Sequence, residues 1–117
     1  MRYMKVWRRS LQRLNQNKIF SLVGLATRSR HVVSGEFMTE KAVKSGDANL
    51  VIIGEDASDN TRKQFQDMCR FYHVPCYIFG KKEELGHSMG KEMRASLAVT
   101  DSGFSKSLIK LLEESNS

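Results

Sequence analysis

The chain lacks acidic residues in its first third. Residues 1–35 carry eight Lys or Arg and no Asp or Glu, whereas the remainder carries 11 basic and 13 acidic residues. The net charge of +6 therefore arises from the N-terminal segment alone. Such an asymmetry predicts a polyanionic partner, and we favour nucleic acid. The alternatives are an anionic membrane surface and a basic terminus that serves only solubility.

Long apolar runs are also missing. No stretch approaches the roughly 18 apolar residues of a membrane-spanning helix, and Arg8, Arg9 and Arg13 interrupt any secretory signal core. Residues 1–25 are compatible with a basic amphipathic helix at an interface, in which Trp7 either packs on the domain or contacts a partner. We expect a cytoplasmic protein without a membrane partner.

Cysteine is scarce, with only Cys69 and Cys76 in the chain. Together with His73 they form a C-x3-H-x2-C pattern, but a structural zinc site needs a full tetrahedral ligand set. His31 and His87 lie far away in sequence. The pattern therefore predicts two reduced thiols that pack as small hydrophobes, and no metal site.

Motifs that mark enzymes are absent. The segment 86–91, GHSMGK, is one residue shorter than a phosphate-binding loop, and Glu92 follows where Ser or Thr would hold magnesium. The chain has no nucleophile elbow and no dinucleotide-binding glycine pattern. We expect no catalytic activity and no cofactor.

Helical and extended patterns alternate along the sequence. Helices are predicted to end near residue 28 and to span 37–44, 60–72, 82–89 and 103–114, and strands to span 31–34, 49–54, 76–79 and 96–100. This order predicts an α/β fold, a three-layer α/β/α sandwich around a mixed sheet of about four strands with parallel pairs. Residues 18–117 would form one domain, preceded by a basic arm or helix extension at 1–17 and closed by a polar tail at 113–117.

Periodicity also predicts which side chains face the core. Ser58 or Asp59 is expected to cap the helix 60–72, and Gly46 to end the helix 37–44. The inward residues of the first and third helices are expected to be Leu14, Ile19, Leu22, Val23, Leu25, Ala26, Phe65, Met68, Cys69 and Tyr72.

The start of the second helix has the chemistry of an anion site. Gly35 lacks a Cβ, so a phosphate or sugar can approach its backbone, and free amides at a helix N-terminus attract anions. Lys41 lies one turn deeper, and Glu36 can complement the helix dipole. The alternative is an ordinary glycine turn beside a solvated lysine.

Four segments carry a resemblance to a known family. They are GLATRSRHVVSGE at 24–36, KAVKSGDANLVIIGED at 41–56, VPCY at 74–77 and ELGHSMGKE at 84–92. Residues 19–112 resemble the ribosomal and ribonucleoprotein subunits that bind kink-turn RNA (the L-seven-Ae type), most closely their bacterial YlxQ-like branch. The resemblance implies a three-layer sandwich that binds RNA along one end.

The family's RNA-reading motif, G-x-N-E-x-x-K, aligns with residues 35–41. Gly35 and Lys41 match, but Phe37 and Met38 stand where the family has Asn and Glu. These two side chains can pack inward or stack on a splayed base. The resemblance also implies that the loop 89–96 covers an extruded nucleotide and that Lys82 contacts RNA. The candidate RNA-binding residues are Ser34, Gly35, Glu36, Phe37, Met38, Lys41, Lys44, Asp56, Ser58, Lys82, Lys91, Met93, Arg94 and Ala95.

Three functions are compatible with these observations. The first is a non-catalytic protein that binds structured, kink-turn-like RNA within the ribosome or another ribonucleoprotein. The second is a protein-interaction module whose RNA surface has decayed and in which Phe37 and Met38 form an apolar contact. The third is the substrate-binding domain of an RNA-modifying enzyme. The sequence leaves the identity of the RNA and the oligomeric state open.

Overall fold

Within residues 2–115, five helices and four strands alternate. The computed structural model describes the backbone of residues 2–115 and the side chains of residues 10–115. The elements are α1 (Arg2–Arg28), β1 (Val32–Ser34), α2 (Glu36–Ser45), β2 (Leu50–Ile53), α3 (Asp59–Tyr72), β3 (Cys76–Ile78), α4 (Lys82–Ser88), β4 (Ser96–Val99) and α5 (Ser102–Ser115). Each predicted element is present, and its bounds differ from the prediction by a few residues at most.

Local capping chemistry places several of these boundaries. The Ser58 hydroxyl accepts a hydrogen bond from the Thr61 amide at 3.2 Å, which fixes the start of α3. Helix α2 ends at Gly46, which adopts the left-handed conformation with a φ of 85°. His73 ends α3 in the same way, with a φ of 59°. The predicted caps at Ser58 and Gly46 are confirmed.

The strands form one sheet in the order β1-β4-β2-β3. Strand β4, the last in sequence, lies between β1 and β2 and is antiparallel to both. Strands β2 and β3 are parallel. The mixed four-stranded sheet is therefore as predicted, although it contains a single parallel pair.

Two apolar clusters, one on each face of the sheet, make the structure three-layered. Successive residues of β2 alternate between them, with Leu50 and Ile52 in one cluster and Val51 and Ile53 in the other. The first cluster includes side chains of α1, α4 and α5. The second includes side chains of α2 and α3, with Phe65 fully buried. This confirms the predicted sandwich.

Three side chains predicted to face the core are exposed instead. Leu14, Leu25 and Tyr72 have exposed fractions of 54%, 46% and 40%. Helix α1 buries only a narrow row of side chains, which includes Ile19 and Val23. The prediction that Leu14 and Leu25 share this inward face is therefore wrong. Tyr72 is the last residue of α3 and packs edge-on against the exposed Phe71 at a ring-centroid distance of 5.0 Å.

The structure describes most of the two predicted appendages, the N-terminal arm 1–17 and the polar tail 113–117. Helix α1 continues without interruption through residue 17, and the structure does not describe the side chains of residues 2–9, including Trp7. Helix α5 extends to Ser115, so most of the predicted polar tail is helical. Residue 1 and residues 116–117 lie outside the described part.

The two thiols lie in the second core cluster. Cys69 is buried on α3 and Cys76 is half-buried on β3, which confirms the prediction that they pack as small hydrophobes. The neighbouring Cys69 thiol and burial both raise the pKa of Cys76, so its thiol stays protonated. Within residues 10–115, no three His, Cys, Asp or Glu side chains are grouped as metal ligands.

Two phenylalanines of α3 provide a matched test of the core. Replacing the fully buried Phe65 with alanine should lower the free energy of unfolding by about 3–5 kcal/mol, because it removes a large side chain and leaves a cavity. Phe71→Ala on the same helix, at a residue 76% exposed, should change it by less than about 0.5 kcal/mol. Urea unfolding measures both, and equal losses would contradict the assigned core.

Candidate nucleic-acid interface

One end of the sheet gathers most of the predicted site residues. Ser34 at the end of β1 lies opposite Leu97 near the start of β4, and Ile53 at the end of β2 lies opposite Ser96. Because β3 is parallel to β2, its C-terminal residue Ile78 lies at this end as well. The segments that follow β1, β2 and β3 therefore meet the segment that precedes β4. We call this end of the sheet, together with the segments that meet there, the loop end.

The start of α2 is positioned at the loop end by Gly35. The Gly35 amide donates a hydrogen bond to the Ser96 carbonyl oxygen at 3.0 Å. Its φ of 90° is one that favours glycine, and no atom lies within 4 Å of the place a Cβ would occupy. Gly35 has no side chain to cap the first-turn amides of α2. The backbone here is open to a ligand and carries donors suited to an anion.

Arg94 ties the loop before β4 to two other elements. Its Nε donates to the Ser34 hydroxyl at 3.3 Å, and its amide donates to the Lys82 carbonyl oxygen at 3.0 Å. Its Nη1 donates to the Met93 carbonyl oxygen at 2.9 Å. These contacts hold the Arg94 guanidinium beside the last residue of β1, immediately before the start of α2.

Asp56 organises the neighbouring loop. Its Oδ1 accepts a hydrogen bond from the Lys82 amide at 2.8 Å, which joins the segment after β2 to the first turn of α4. This hydrogen bond lowers the pKa of the Asp56 carboxyl below its ordinary value, because it stabilises the ionised form. Asp56 therefore acts on the position of Lys82 through the backbone.

Two glycines from the family-like segments set the position of the loop 89–95. A Cβ on Gly86 would overlap the Glu92 carbonyl oxygen, and one on Gly24 would lie 2.8 Å from the Ser88 carbonyl oxygen. The loop thus folds back directly onto α4, and α4 packs closely on α1. Only glycine permits these contacts without a shift of the backbone.

Three large apolar side chains at the loop end are exposed to solvent. Phe37 and Met38 in the first turn of α2 have exposed fractions of 73% and 41%, and Met93 in the loop before β4 has one of 62%. Exposed aromatic and apolar side chains of this size are typical of contact surfaces. Of the two alternatives for Phe37, packing inward and stacking on a base, this exposure excludes the first.

The cations at the loop end come from separate segments. Lys41 and Lys91 are exposed, and Lys82 and Arg94 are half-buried. In the part of the chain whose side chains are described, none of the ion pairs within 4.0 Å involves these four residues. These four cations are therefore outside close ion pairs, although the charge of Lys82 interacts with the Asp56 carboxylate. Glu36 and Glu92 are acidic neighbours in sequence.

The structure does not bring all predicted residues together. Lys44 lies in the last turn of α2, about 12 Å along the helix axis from Glu36, where it pairs with Glu40 at 2.8 Å. The Ser58 hydroxyl is used as the cap of α3. Ala95 contributes its carbonyl oxygen, which accepts a hydrogen bond from the Gly54 amide at 2.9 Å.

The loop end also includes residues that were not predicted. Lys81 is exposed and immediately precedes α4, beside Gly80, whose carbonyl oxygen accepts a hydrogen bond from the Glu55 amide. The sequence signal that could have identified Lys81 is the run 80–82, in which two lysines follow a glycine at the start of a helix. Behind the loop, a groove of about 1060 Å³ is lined by residues of α1, α4 and the loop 89–95, and Arg28, Lys91 and Glu83 are among them.

The fold defines a class of small α/β/α domains in which loops from several elements gather at one end of a mixed sheet. The chain belongs to the ribosomal protein L7Ae/L30e/S12e/Gadd45 family, whose model matches residues 17–109. The resemblance inferred from the sequence is thereby confirmed.

Individual relatives cover most of the chain. It is 48% identical over 94 residues to the RNA-binding protein YlxQ of Bacillus subtilis, spanning 80% of this chain and 94% of that protein. The protein of the same name from Enterococcus faecium is 33% identical over 85% of this chain and 95% of its own length. A solved structure of a protein of unknown function from Bacillus halodurans superposes with a TM-score of 0.80 at 40% identity, covering 82% of this chain and 97% of that one.

The Asp56 hydrogen bond predicts an acid-sensitive contact at the loop end. The folded-state pKa of Asp56 lies below the ordinary value of 3.8. The stabilising contribution is therefore present above that value and is lost as the pH falls through the folded-state pKa. NMR titration should show the Asp56 carboxyl and the Lys82 amide changing together, with a midpoint below 3.8. Asp56→Asn should abolish the acid transition of the Lys82 amide, and a midpoint at or above the ordinary value would contradict the assignment.

Proposed function

We propose that this protein binds structured, kink-turn-like RNA through the loop end of the sheet. We place it in the cytoplasm, as a non-catalytic component of the ribosome or another ribonucleoprotein. One observation carries the proposal: Arg94 and the uncapped start of α2 are held together through Ser34, Gly35 and Ser96. Membership of a ribosomal protein family and the RNA-binding name of the Bacillus subtilis relative support it.

The phosphate backbone would be held first at the start of α2. The open space at Gly35 lets a phosphate or ribose approach the main chain, where the amides of the first turn point outward. The exposed Lys41, further along the same helix, adds a positive charge. A backbone contact of this kind positions the RNA without reading its sequence.

A second contact would come from the loop before β4. Lys91 is exposed, and Arg94 presents its guanidinium beside Ser34. Because two hydrogen bonds already orient the Arg94 side chain and a third holds its backbone, little side-chain freedom remains to be lost on binding. Lys41 would contact the RNA from α2, and Lys91 and Arg94 would contact it from the loop before β4. Contacts from two separate elements favour a bent or folded RNA over a straight duplex.

Phe37 and Met38 determine how bases are read. Neither side chain has a hydrogen-bond donor or acceptor suited to a base edge, unlike the Asn and Glu that the family places there. The 73% exposed ring of Phe37 is instead a platform on which an unpaired base can stack. We therefore propose recognition through RNA shape and stacking.

The exposure of Phe37 and Met38 also favours a second candidate function. An apolar pair that is 73% and 41% exposed can form the centre of a protein contact. In that case the loop end would bind a protein, and RNA affinity would be absent. The two candidates differ in their response to RNA and salt.

The salt dependence of RNA binding tests the role of the cations. Affinity for a kink-turn RNA should fall steeply with rising salt, because each phosphate contact releases counterions. Lys41→Ala should weaken binding for all RNAs and reduce the log–log slope by about 0.7–0.9. Fluorescence anisotropy at several salt concentrations measures both quantities.

Lys106→Ala is the matched control for this experiment. Lys106 is an exposed lysine on α5, which begins after the opposite end of β4. Its replacement should leave the slope within error of the unmodified protein. A flat salt dependence, or equal effects of the two substitutions, would overturn the assignment of the site.

Restoring the family residues tests the role of Phe37 and Met38. The double variant Phe37→Asn/Met38→Glu should strengthen discrimination between a kink-turn RNA and the same RNA with disrupted guanine–adenine pairs by about 1–3 kcal/mol, because it restores base-edge contacts. The unmodified protein should prefer the intact RNA by a smaller margin, through shape alone. Titration of both proteins with both RNAs gives the comparison.

The same titrations separate the two candidate functions. Equal, salt-sensitive binding of the unmodified protein to both RNAs would refute kink-turn preference and retain general RNA binding. No binding to either RNA would favour the protein-interaction function.

A further inference from the structure

Cys69 and Cys76 come from different elements and meet at one interface. Cys69 lies in the last turn of α3, and Cys76 is the first residue of β3. Both belong to the second apolar cluster, so their side chains lie between α3 and the face of the sheet that α3 covers. The RNA site proposed above uses neither thiol.

The connection between α3 and β3 keeps the two cysteines close. His73 ends α3 in the left-handed conformation, and the Val74 amide donates a hydrogen bond to the Cys69 carbonyl oxygen at 2.8 Å. The chain thus reverses over residues 73–75, and Cys76 enters the sheet opposite Val51. The side chain of Cys76 therefore lies against the last turn of α3.

The two thiols interact directly and unequally. The Cys76 thiol donates a hydrogen bond to the Cys69 sulfur, and this contact outweighs burial and lowers the pKa of Cys69, because it stabilises the thiolate. The same contact, together with burial, raises the pKa of Cys76. Cys69 is therefore the sulfur that ionises more readily, and Cys76 is its proton donor.

A cleft at the surface reaches this pair of thiols. The cleft has a volume of about 320 Å³ and is lined by Gln66, Cys69, Arg70, Val74 and Cys76. Cys69 has an exposed fraction of only 1%, whereas Cys76 is half-buried. A bulky reagent or the thiol of another protein therefore cannot reach Cys69, but a molecule as small as hydrogen peroxide fits the cleft.

We propose that Cys69 and Cys76 form a reversible oxidation site, in which hydrogen peroxide or another small hydroperoxide converts the two thiols into an intramolecular disulfide. In the cytoplasm, where we place this protein, thiols are kept reduced, so the disulfide would be transient. It would join α3 to the start of β3, at the end of the sheet opposite the loop end. The proposed RNA surface would stay unchanged.

Oxidation proceeds in two steps. The Cys69 thiolate attacks one peroxide oxygen, so an S–O bond forms, the O–O bond breaks, and the departing hydroxide takes up the proton that Cys69 released. The Cys76 sulfur then attacks the Cys69 sulfur, so the S–S bond forms and the S–O bond breaks. The Cys76 proton leaves with this hydroxide as a second water. The two thiols are oxidised, and one peroxide is reduced to two waters.

Treatment of the reduced full chain with hydrogen peroxide tests the site. Both thiols should be lost together, the mass of the linked peptides should fall by two hydrogens, and dithiothreitol should restore the thiols. Peptide mapping should locate the bond between Cys69 and Cys76 and separate it from oxidation of exposed methionines such as Met93. Non-reducing electrophoresis should show no new bond between chains.

Single replacements assign the two roles. Cys76→Ala should stop at the sulfenic acid of Cys69, which dimedone traps, because no second thiol remains to displace hydroxide. Cys69→Ala should give several-fold less dimedone adduct, because Cys76 is the poorer nucleophile. Circular dichroism checks the fold of both variants, and mapping of the unmodified protein depends on neither. Both variants should keep the RNA affinity of the unmodified protein, so this inference and the proposed RNA function can fail separately.

Three results would overturn the inference. The first is that both thiols stay reduced at a peroxide dose that oxidises free cysteine in the same buffer. The second is oxidation without the intramolecular bond, either as disulfides between chains or as sulfinic acid at one cysteine. The third is equal dimedone labelling of the two variants, which would refute the separate roles of Cys69 and Cys76.

Discussion

The antiparallel pairing of β4 with β2 is the interaction on which the remaining structure depends. It inserts the last strand of the chain between β1 and β2, and both strands of the pair are buried throughout. Because β4 also pairs with β1, Ser34 and Leu97 are neighbours in the sheet although they are far apart in the sequence. The loop end exists only because this strand order brings those segments together.

The two apolar clusters support that pairing from opposite sides. One places α1, α4 and α5 on the first face of the sheet, and the other places α2 and α3 on the second. The buried hydrogen bond from the Ser96 hydroxyl to Thr39 at 3.3 Å joins β4 to α2 within the second face. The start of α2 therefore rests on the same strand that follows the Arg94 loop, so the core fixes the relative position of these two segments.

The protein has two surfaces of different chemistry. At the loop end, free amides and cations from several segments surround exposed apolar side chains, which suits a folded polyanion. Along α1, the exposed Leu11, Leu14 and Leu25 lie on a helix that contains Lys and Arg but no acidic residue. Cations alone do not distinguish these surfaces. The two surfaces differ in the groups beside the cations. The loop end has the uncapped amides of α2, whereas α1 borders an apolar groove with α5.

The amino-acid sequence by itself determined the elements, their caps and the family. Gly46 and Ser58 end and start helices through contacts within a few residues, and the uninterrupted apolar run of β2 is typical of a strand that is buried on both faces. Only the tertiary structure decided the strand order, the exposure of Phe37, the hydrogen bond from Arg94 to Ser34 and the separation of Lys44 from the loop end. These depend on contacts between residues distant in sequence, and local periodicity does not encode which strands pair or which of two apolar faces of a helix meets the core.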